Sequence, residues 1–210
     1  MQLQLATATG EFKRKTENRT ARVGIIGMGY VGLPPALLFS NERFKVTGFD
    51  IDAKKVSTLN SGSSYIVRIP CAEVQSAQAR GFCATSEFDQ ISEMEIVIIC
   101  VPTPLDEYHA PDLRFISQTL QQIASRMRFR QLIILESTTS PGTTEEVVVP
   151  LLEGGNPIGL KVARNGSDGG FYVAFSPERE NPGNDAVARD DIPKVIGGVD
   201  SIRLAGVREV

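Results

Sequence analysis

The stretch Val23-Gly24-Ile25-Ile26-Gly27-Met28-Gly29-Tyr30-Val31-Gly32 constrains this chain more than any other feature. Its first four residues read as a short buried strand, and Gly27, Gly29 and Gly32 then follow the spacing G-x-G-x-x-G. Val31 to Asn41 reads as a helix. Pro34 and Pro35 fall in its first turn, where a missing N–H is tolerated. Lys45 to Phe49 reads as a second strand, ending at Asp50. Strand, glycine turn, helix and strand within about 30 residues make the βαβ unit of a parallel sheet.

Each glycine of that turn has a physical task. Gly27 permits the tight turn, Gly29 lets the backbone approach a diphosphate, and Gly32 lets the helix pack close to the strand. The start of the helix offers N–H groups and a partial positive charge to an anion. Asp50 stands 50 − 32 = 18 residues past the last glycine, near the roughly 20 expected of a carboxylate that accepts from a ribose diol. A carboxylate there repels a 2′-phosphate, which favours NAD over NADP; Lys54 and Lys55 soften that preference. The candidate cofactor-binding residues of this unit are therefore Gly27, Met28, Gly29, Tyr30, Val31, Gly32 and Asp50. A glycine-rich turn without a ligand is the competing explanation of the glycines alone.

The alternation of strand and helix continues along the chain. Ala53 to Leu59 reads as a helix with Asp52 as its N-cap. Phe82 to Thr85 and Glu95 to Val101 read as strands, the second apolar on both faces, as a central parallel strand should be. Asp112 to Met127 has helical spacing of Leu113, Ile116, Leu120 and Ile123. Gln131 to Leu135 is a strand, Gly142 to Glu153 a helix, Phe171 to Phe175 a sixth strand and Lys194 to Ile196 a seventh. These elements specify an α/β fold of the Rossmann type, a doubly wound, mostly parallel sheet with helices on both faces. Residues 1–20 are polar and aperiodic and are expected to form a disordered extension, leaving 21–210 as one domain.

Composition removes several classes. The chain of 210 residues carries 22 basic and 25 acidic groups, a net charge of −3. The basic run Lys13-Arg14-Lys15 lies in the polar extension and reads as a solvated end, so no nucleic-acid partner is expected. The apolar runs are too short to cross a membrane. Three cysteines, Cys71, Cys83 and Cys100, are too few for a disulfide framework, and a cytoplasmic setting is expected.

In open α/β sheets, ligands sit beyond the carboxyl ends of the strands. Three such ends carry unusual chemistry. The fourth strand leads into Val101-Pro102-Thr103-Pro104, the fifth into Glu136-Ser137-Thr138-Thr139-Ser140-Pro141-Gly142, and the sixth into Ser176-Pro177-Glu178-Arg179-Glu180. Capping and turn formation explain any one of them; three at one sheet edge point to a polar cleft.

Together with Gly27 to Gly32, Gly48-Phe49-Asp50-Ile51-Asp52 and Pro193 to Val199, these segments resemble the UDP-glucose/GDP-mannose dehydrogenase family, and within it the branch that oxidises UDP-N-acetylhexosamines to uronic acids. The resemblance runs from about residue 22 to the end. It implies two successive NAD-dependent oxidations at C6 of a UDP-sugar. It further implies that Lys55 stands near the adenine ribose, that Thr103, Ser137 and Thr138 line the nicotinamide side, and that Thr138 orders water near the reacting carbon. Glu178 matches the acid–base carboxylate of the family, and Arg179 matches its substrate-side loop. The family's nucleophilic cysteine, catalytic lysine and dimer helix belong to segments that follow residue 210 in the pattern. The resemblance thus implies an NAD-binding fragment, inactive alone, of a homodimeric enzyme. Cys100 reads as core, and His109 as a surface residue. Two other readings remain open at this stage: a non-catalytic nucleotide-binding or interaction module, and the first domain of a hydroxyacid-type dehydrogenase.

Overall fold

The computed structural model describes residues 11–105, 107, 110–164, 170–178 and 195–199. A seven-stranded sheet runs through the centre, in the order β3-β2-β1-β4-β5-β6-β7. Its strands are β1 (Arg22–Ile26), β2 (Lys45–Phe49), β3 (Cys83–Thr85), β4 (Ile96–Ile99), β5 (Leu132–Leu135), β6 (Tyr172–Phe175) and β7 (Gly197–Gly198). All neighbours are parallel except β6 and β7. The order reverses between β1 and β4, which is where a doubly wound sheet opens a crevice for ligands.

Helices cover both faces because alternate residues of the central strands point to opposite sides. Val23, Ile25, Ile96, Ile98, Leu132 and Ile134 share one core with α2 (Leu33–Asn41), α3 (Ala53–Asn60) and α4 (Cys71–Ala79). Ile26, Val97, Ile99, Ile133 and Leu135 share the other with α5 (Arg114–Ala124) and α6 (Val149–Gly155). The apolar continuity of β4 and β5 follows directly: every residue of both strands is buried.

Several local expectations are met in detail. Asp52 caps α3, its side chain accepting from Lys54 N at 2.9 Å. Pro34 and Pro35 do lie in the first turn of α2. The helix expected from Gly142 is divided: a π-helical turn, Thr144–Val148, leads into α6. Pro150 accounts for the change of ladder, since it brings no N–H for an acceptor one turn back.

Two expectations need correction. Residues 11–17 are helical (α1) rather than a disordered extension; residues 1–10 lie outside the described set. Thr16 is buried, Phe12 packs on the core, and Lys15 Nζ reaches Glu95 at 3.1 Å. Helix α4 fills the segment between Cys71 and Cys83, and of its nine residues only Val74 and Ala77 are buried. The seventh strand falls at Gly197–Gly198, not at Lys194–Ile196, and is antiparallel; its place is set by pairing with Phe175 and Ala174 rather than by propensity. Lys194 is outside the described residues.

Candidate dinucleotide site

The glycine turn follows β1 directly. Gly27 has φ +95°, a left-handed conformation that favours glycine, and a Cβ there would meet the Cys100 carbonyl oxygen at 2.7 Å. At Gly32 a Cβ would stand 2.0 Å from the Gly27 carbonyl oxygen and 3.0 Å from Cys100 Cβ. The protein itself therefore demands those two glycines. Gly29 differs: a Cβ there would meet nothing within 4 Å. In this fingerprint the second glycine is the one whose missing side chain lets the backbone approach a diphosphate.

The turn also supplies donors. Among the described residues, the amides of Gly29, Tyr30, Val31 and Gly32 have no protein acceptor. Leu33 N bonds Gly29 O at 3.0 Å, and Pro34 and Pro35 carry no N–H. The free donors are thus concentrated in the turn itself, one step before the first turn of α2 where the sequence had suggested them. Tyr30 is exposed, whereas Met28 is fully buried beneath it in the chain order, its sulfur filling the space above Gly48.

Asp50 ends β2 and is buried. Its Oδ2 accepts from Met28 N at 2.8 Å and lies 3.3 Å from Lys55 Nζ; its Oδ1 accepts from Asp52 N at 2.9 Å. A carboxylate has about four acceptor positions, so capacity remains for a ribose hydroxyl. Lys55 holds the charge of Asp50 in place and is itself partly exposed. The turn and Asp50 accordingly fit the adenosine diphosphate half of a dinucleotide.

The second edge is laced together by hydrogen bonds. Ser137 Oγ donates to Val101 O at 2.7 Å, Ser137 N to Ile99 O at 3.1 Å, and Glu178 N to Glu136 O at 3.2 Å. The exits of β4, β5 and β6 therefore form one continuous ledge. Ser137 is buried, and its hydroxyl is engaged within the protein. Thr138 is exposed, while Thr103 and Glu178 are partly exposed. Thr103 immediately precedes a loop closed by the Leu105–Pro111 bridge and by Asp112 N donating to Pro104 O at 2.8 Å. Arg179 and His109 lie outside the described residues. Cys100 is core, as expected, but its Sγ also lies 3.2 Å from Glu136 Oε2. Cys71 opens α4 and Cys83 opens β3; both are exposed, and Cys83 is at the amino end of its strand, away from the ledge.

Sequence reasoning missed two residues. Glu136 was visible as part of its motif, but not as the carboxylate beneath the ledge. Tyr65, which donates its hydroxyl to Met28 O, carried no signal at all.

A doubly wound sheet with this turn, these free amides and this acidic residue defines a dinucleotide-binding domain. The profile of the UDP-glucose/GDP-mannose dehydrogenase family, NAD binding domain, matches residues 21–210. The chain is 35% identical over 177 residues to the UDP-N-acetyl-D-glucosamine 6-dehydrogenase of Salmonella typhi, covering 84% of this chain and 39% of that relative. It is 35% identical over 181 residues to the UDP-N-acetyl-D-mannosamine dehydrogenase of Pyrococcus horikoshii, covering 85% and 41%. The fold superposes on the UDP-D-ManNAc dehydrogenase structure from Pyrococcus horikoshii with a TM-score of 0.76 at 32% identity, over 90% of this chain and 44% of that one. A GDP-mannose dehydrogenase from Pseudomonas aeruginosa, solved as a ternary complex, gives 0.77 at 30% identity, over 90% and 43%. The chain belongs to the UDP-glucose/GDP-mannose dehydrogenase family and corresponds to its NAD binding domain. It spans about two fifths of the length of the curated relatives it matches. Among the described residues, no helix is long and apolar enough to cross a membrane.

Proposed function

We propose that this chain is the cofactor-binding part of a dehydrogenase that oxidises C6 of a UDP-N-acetylhexosamine to the uronic acid, a step in making polysaccharide precursors. The observation that carries the reading is the ledge joining Val101, Ser137, Glu136 and Glu178 beside the glycine turn. It sets Thr138 and Glu178 on one sheet edge with the dinucleotide residues, and the names of the relatives supply the substrate class.

NAD, when bound, supplies the hydride acceptor. The amides of Gly29, Tyr30 and Val31 hold its diphosphate, Asp50 accepts from the adenosine ribose, and Lys55 tempers the Asp50 charge. Thr103 and Thr138 offer hydroxyls at the nicotinamide end, with Ser137 bracing the ledge beneath them. Glu178 takes up the proton of the C6 hydroxyl and later activates water, with Thr138 orienting that water. A carboxylate suits both duties when its surroundings bring its proton affinity near the working pH. Arg179 answers the anionic charge of the UDP-sugar. Neither exposed cysteine stands at the ledge, so this reading assigns neither of them as the thiol nucleophile of the second oxidation. The whole enzyme is proposed to be a cytoplasmic homodimer; neither nucleic acid nor a membrane enters this reading.

The test has two arms. Calorimetric titration of the 210-residue chain should show NAD binding without sugar turnover. The same reading frame, expressed with any coding sequence downstream, should form two molecules of NADH for each UDP-N-acetylhexosamine consumed. Oxidation of a 3-hydroxy acid in place of the UDP-sugar would overturn the proposal.

A further inference from the structure

Met28 is the residue between the first two glycines, and it is held from three directions. Its side chain is fully buried, with the sulfur so close above Gly48 that a Cβ there would stand 2.5 Å from it. Its N–H donates to Asp50 Oδ2. Its carbonyl accepts the hydroxyl of Tyr65, a residue 37 positions later in the α3–α4 connection. That connection is itself anchored. Ile66 and Ile69 are buried, Ser64 Oγ and Ile66 N lie 3.1 Å apart, and Ile69 N donates to Ile66 O at 2.9 Å.

The direction of this hold matters. The peptide bonds are trans, so a carbonyl and the following N–H point opposite ways. Drawing the Met28 carbonyl toward Tyr65 turns the Gly29 N–H away from Tyr65. Gly29 and the three amides after it are the donors without protein acceptors. A hydroxyl that fixes one peptide plane therefore fixes the first of the anion-binding groups, and the binding cost of ordering that plane is met before the ligand arrives. Burial, with Asp50 and Asp52 nearby, pushes the Tyr65 phenol well above its ordinary value, so the hydroxyl keeps its proton and remains a donor.

We infer that Tyr65 is a positioning residue for the dinucleotide, orienting the Met28–Gly29 peptide so that the turn meets the diphosphate ready-formed. The inference rests on the NAD reading of the turn. Tyr65→Phe removes only the hydroxyl. In the 210-residue chain it should weaken NAD and ADP roughly three- to tenfold, the worth of one such hydrogen bond. It should also move the amide resonances of Gly29 and Tyr30 in the ligand-free protein. Leu37→Ala, a core truncation in α2, serves as a stability control, with the assay temperature set equally far below each variant's melting point. Loss of affinity in Tyr65→Phe with retention in the control supports the proposal. Equal NAD and ADP affinity in Tyr65→Phe and the parent chain overturns it, as does an equal loss in both variants. Absence of NAD binding by the parent chain would instead overturn the cofactor reading beneath it.

Discussion

Asp50 reaches back 22 positions in sequence to accept the Met28 amide at 2.8 Å. The residue proposed to select the ribose therefore also shapes the turn proposed to meet the phosphates. Its removal should cost more than one contact.

Asp50→Ala should weaken NAD by roughly tenfold to a hundredfold, the range expected for loss of charged hydrogen bonds. It should also abolish the preference over NADP, since the repulsion of a 2′-phosphate goes with the carboxylate and Lys55 is left unpaired beside it. Titrations with NAD and NADP, run side by side, measure both effects. A variant that kept the full preference would show that selection lies elsewhere.

The three glycines should separate by what each substitution damages. Gly32→Ala places a methyl group 2.0 Å from the Gly27 carbonyl oxygen and should unfold or severely destabilise the domain. Gly29→Ala meets no protein atom within 4 Å. It should melt within about 1 kcal/mol of the parent chain and lose NAD affinity. Thermal melts with and without NAD distinguish the two, and equal behaviour of the two variants would contradict the assignment.

Glu95 anchors the opposite edge of the sheet. It accepts from Arg22 N at 2.7 Å, Lys15 Nζ at 3.1 Å and Arg128 Nη2 at 2.8 Å. Burial raises its carboxyl, but these partners outweigh burial and hold it below the usual range. A carboxyl depressed in the folded state stabilises above its unfolded value and loses that contribution as the pH falls through the folded one. The chain should therefore lose stability below about pH 4.5. Glu95→Gln should cost about 1–2 kcal/mol at neutral pH and flatten that acid limb, as read from urea melts across pH.

Removal of residues 1–17 takes away α1, including buried Thr16, the packing of Phe12 and the Lys15 partner of Glu95. The loss should be roughly 1–3 kcal/mol, a fall of several degrees in melting temperature. An unchanged melting curve would show that α1 contributes nothing to the fold.

What the sequence made legible follows from range. The β1–α2–β2 unit, its glycines and the Asp52 cap depend on neighbours within a few residues, and local pattern displays them. The ledge residues were visible as motifs because prolines and hydroxyls at strand ends are unusual chemistry. Their lacing was not, since Ser137 to Val101 and Glu178 to Glu136 are contacts between different strands. Helix α1 was hidden for the same reason: its polar residues gain a partner 80 positions away in Glu95. Tyr65 sits in a stretch of serines and reads as loop, and only the folded chain shows its hydroxyl at Met28.

The open space at Gly29 has an evolutionary corollary. Gly27 and Gly32 are kept by the protein's own walls, so any descendant that still folds must retain them. Gly29 meets no such wall, and only the diphosphate proposed to rest there would keep it. In a lineage that abandoned its nucleotide, the middle glycine would be the first of the three to drift. Its presence or loss across descendants would record which copies still carry a cofactor, even where no activity has been assayed.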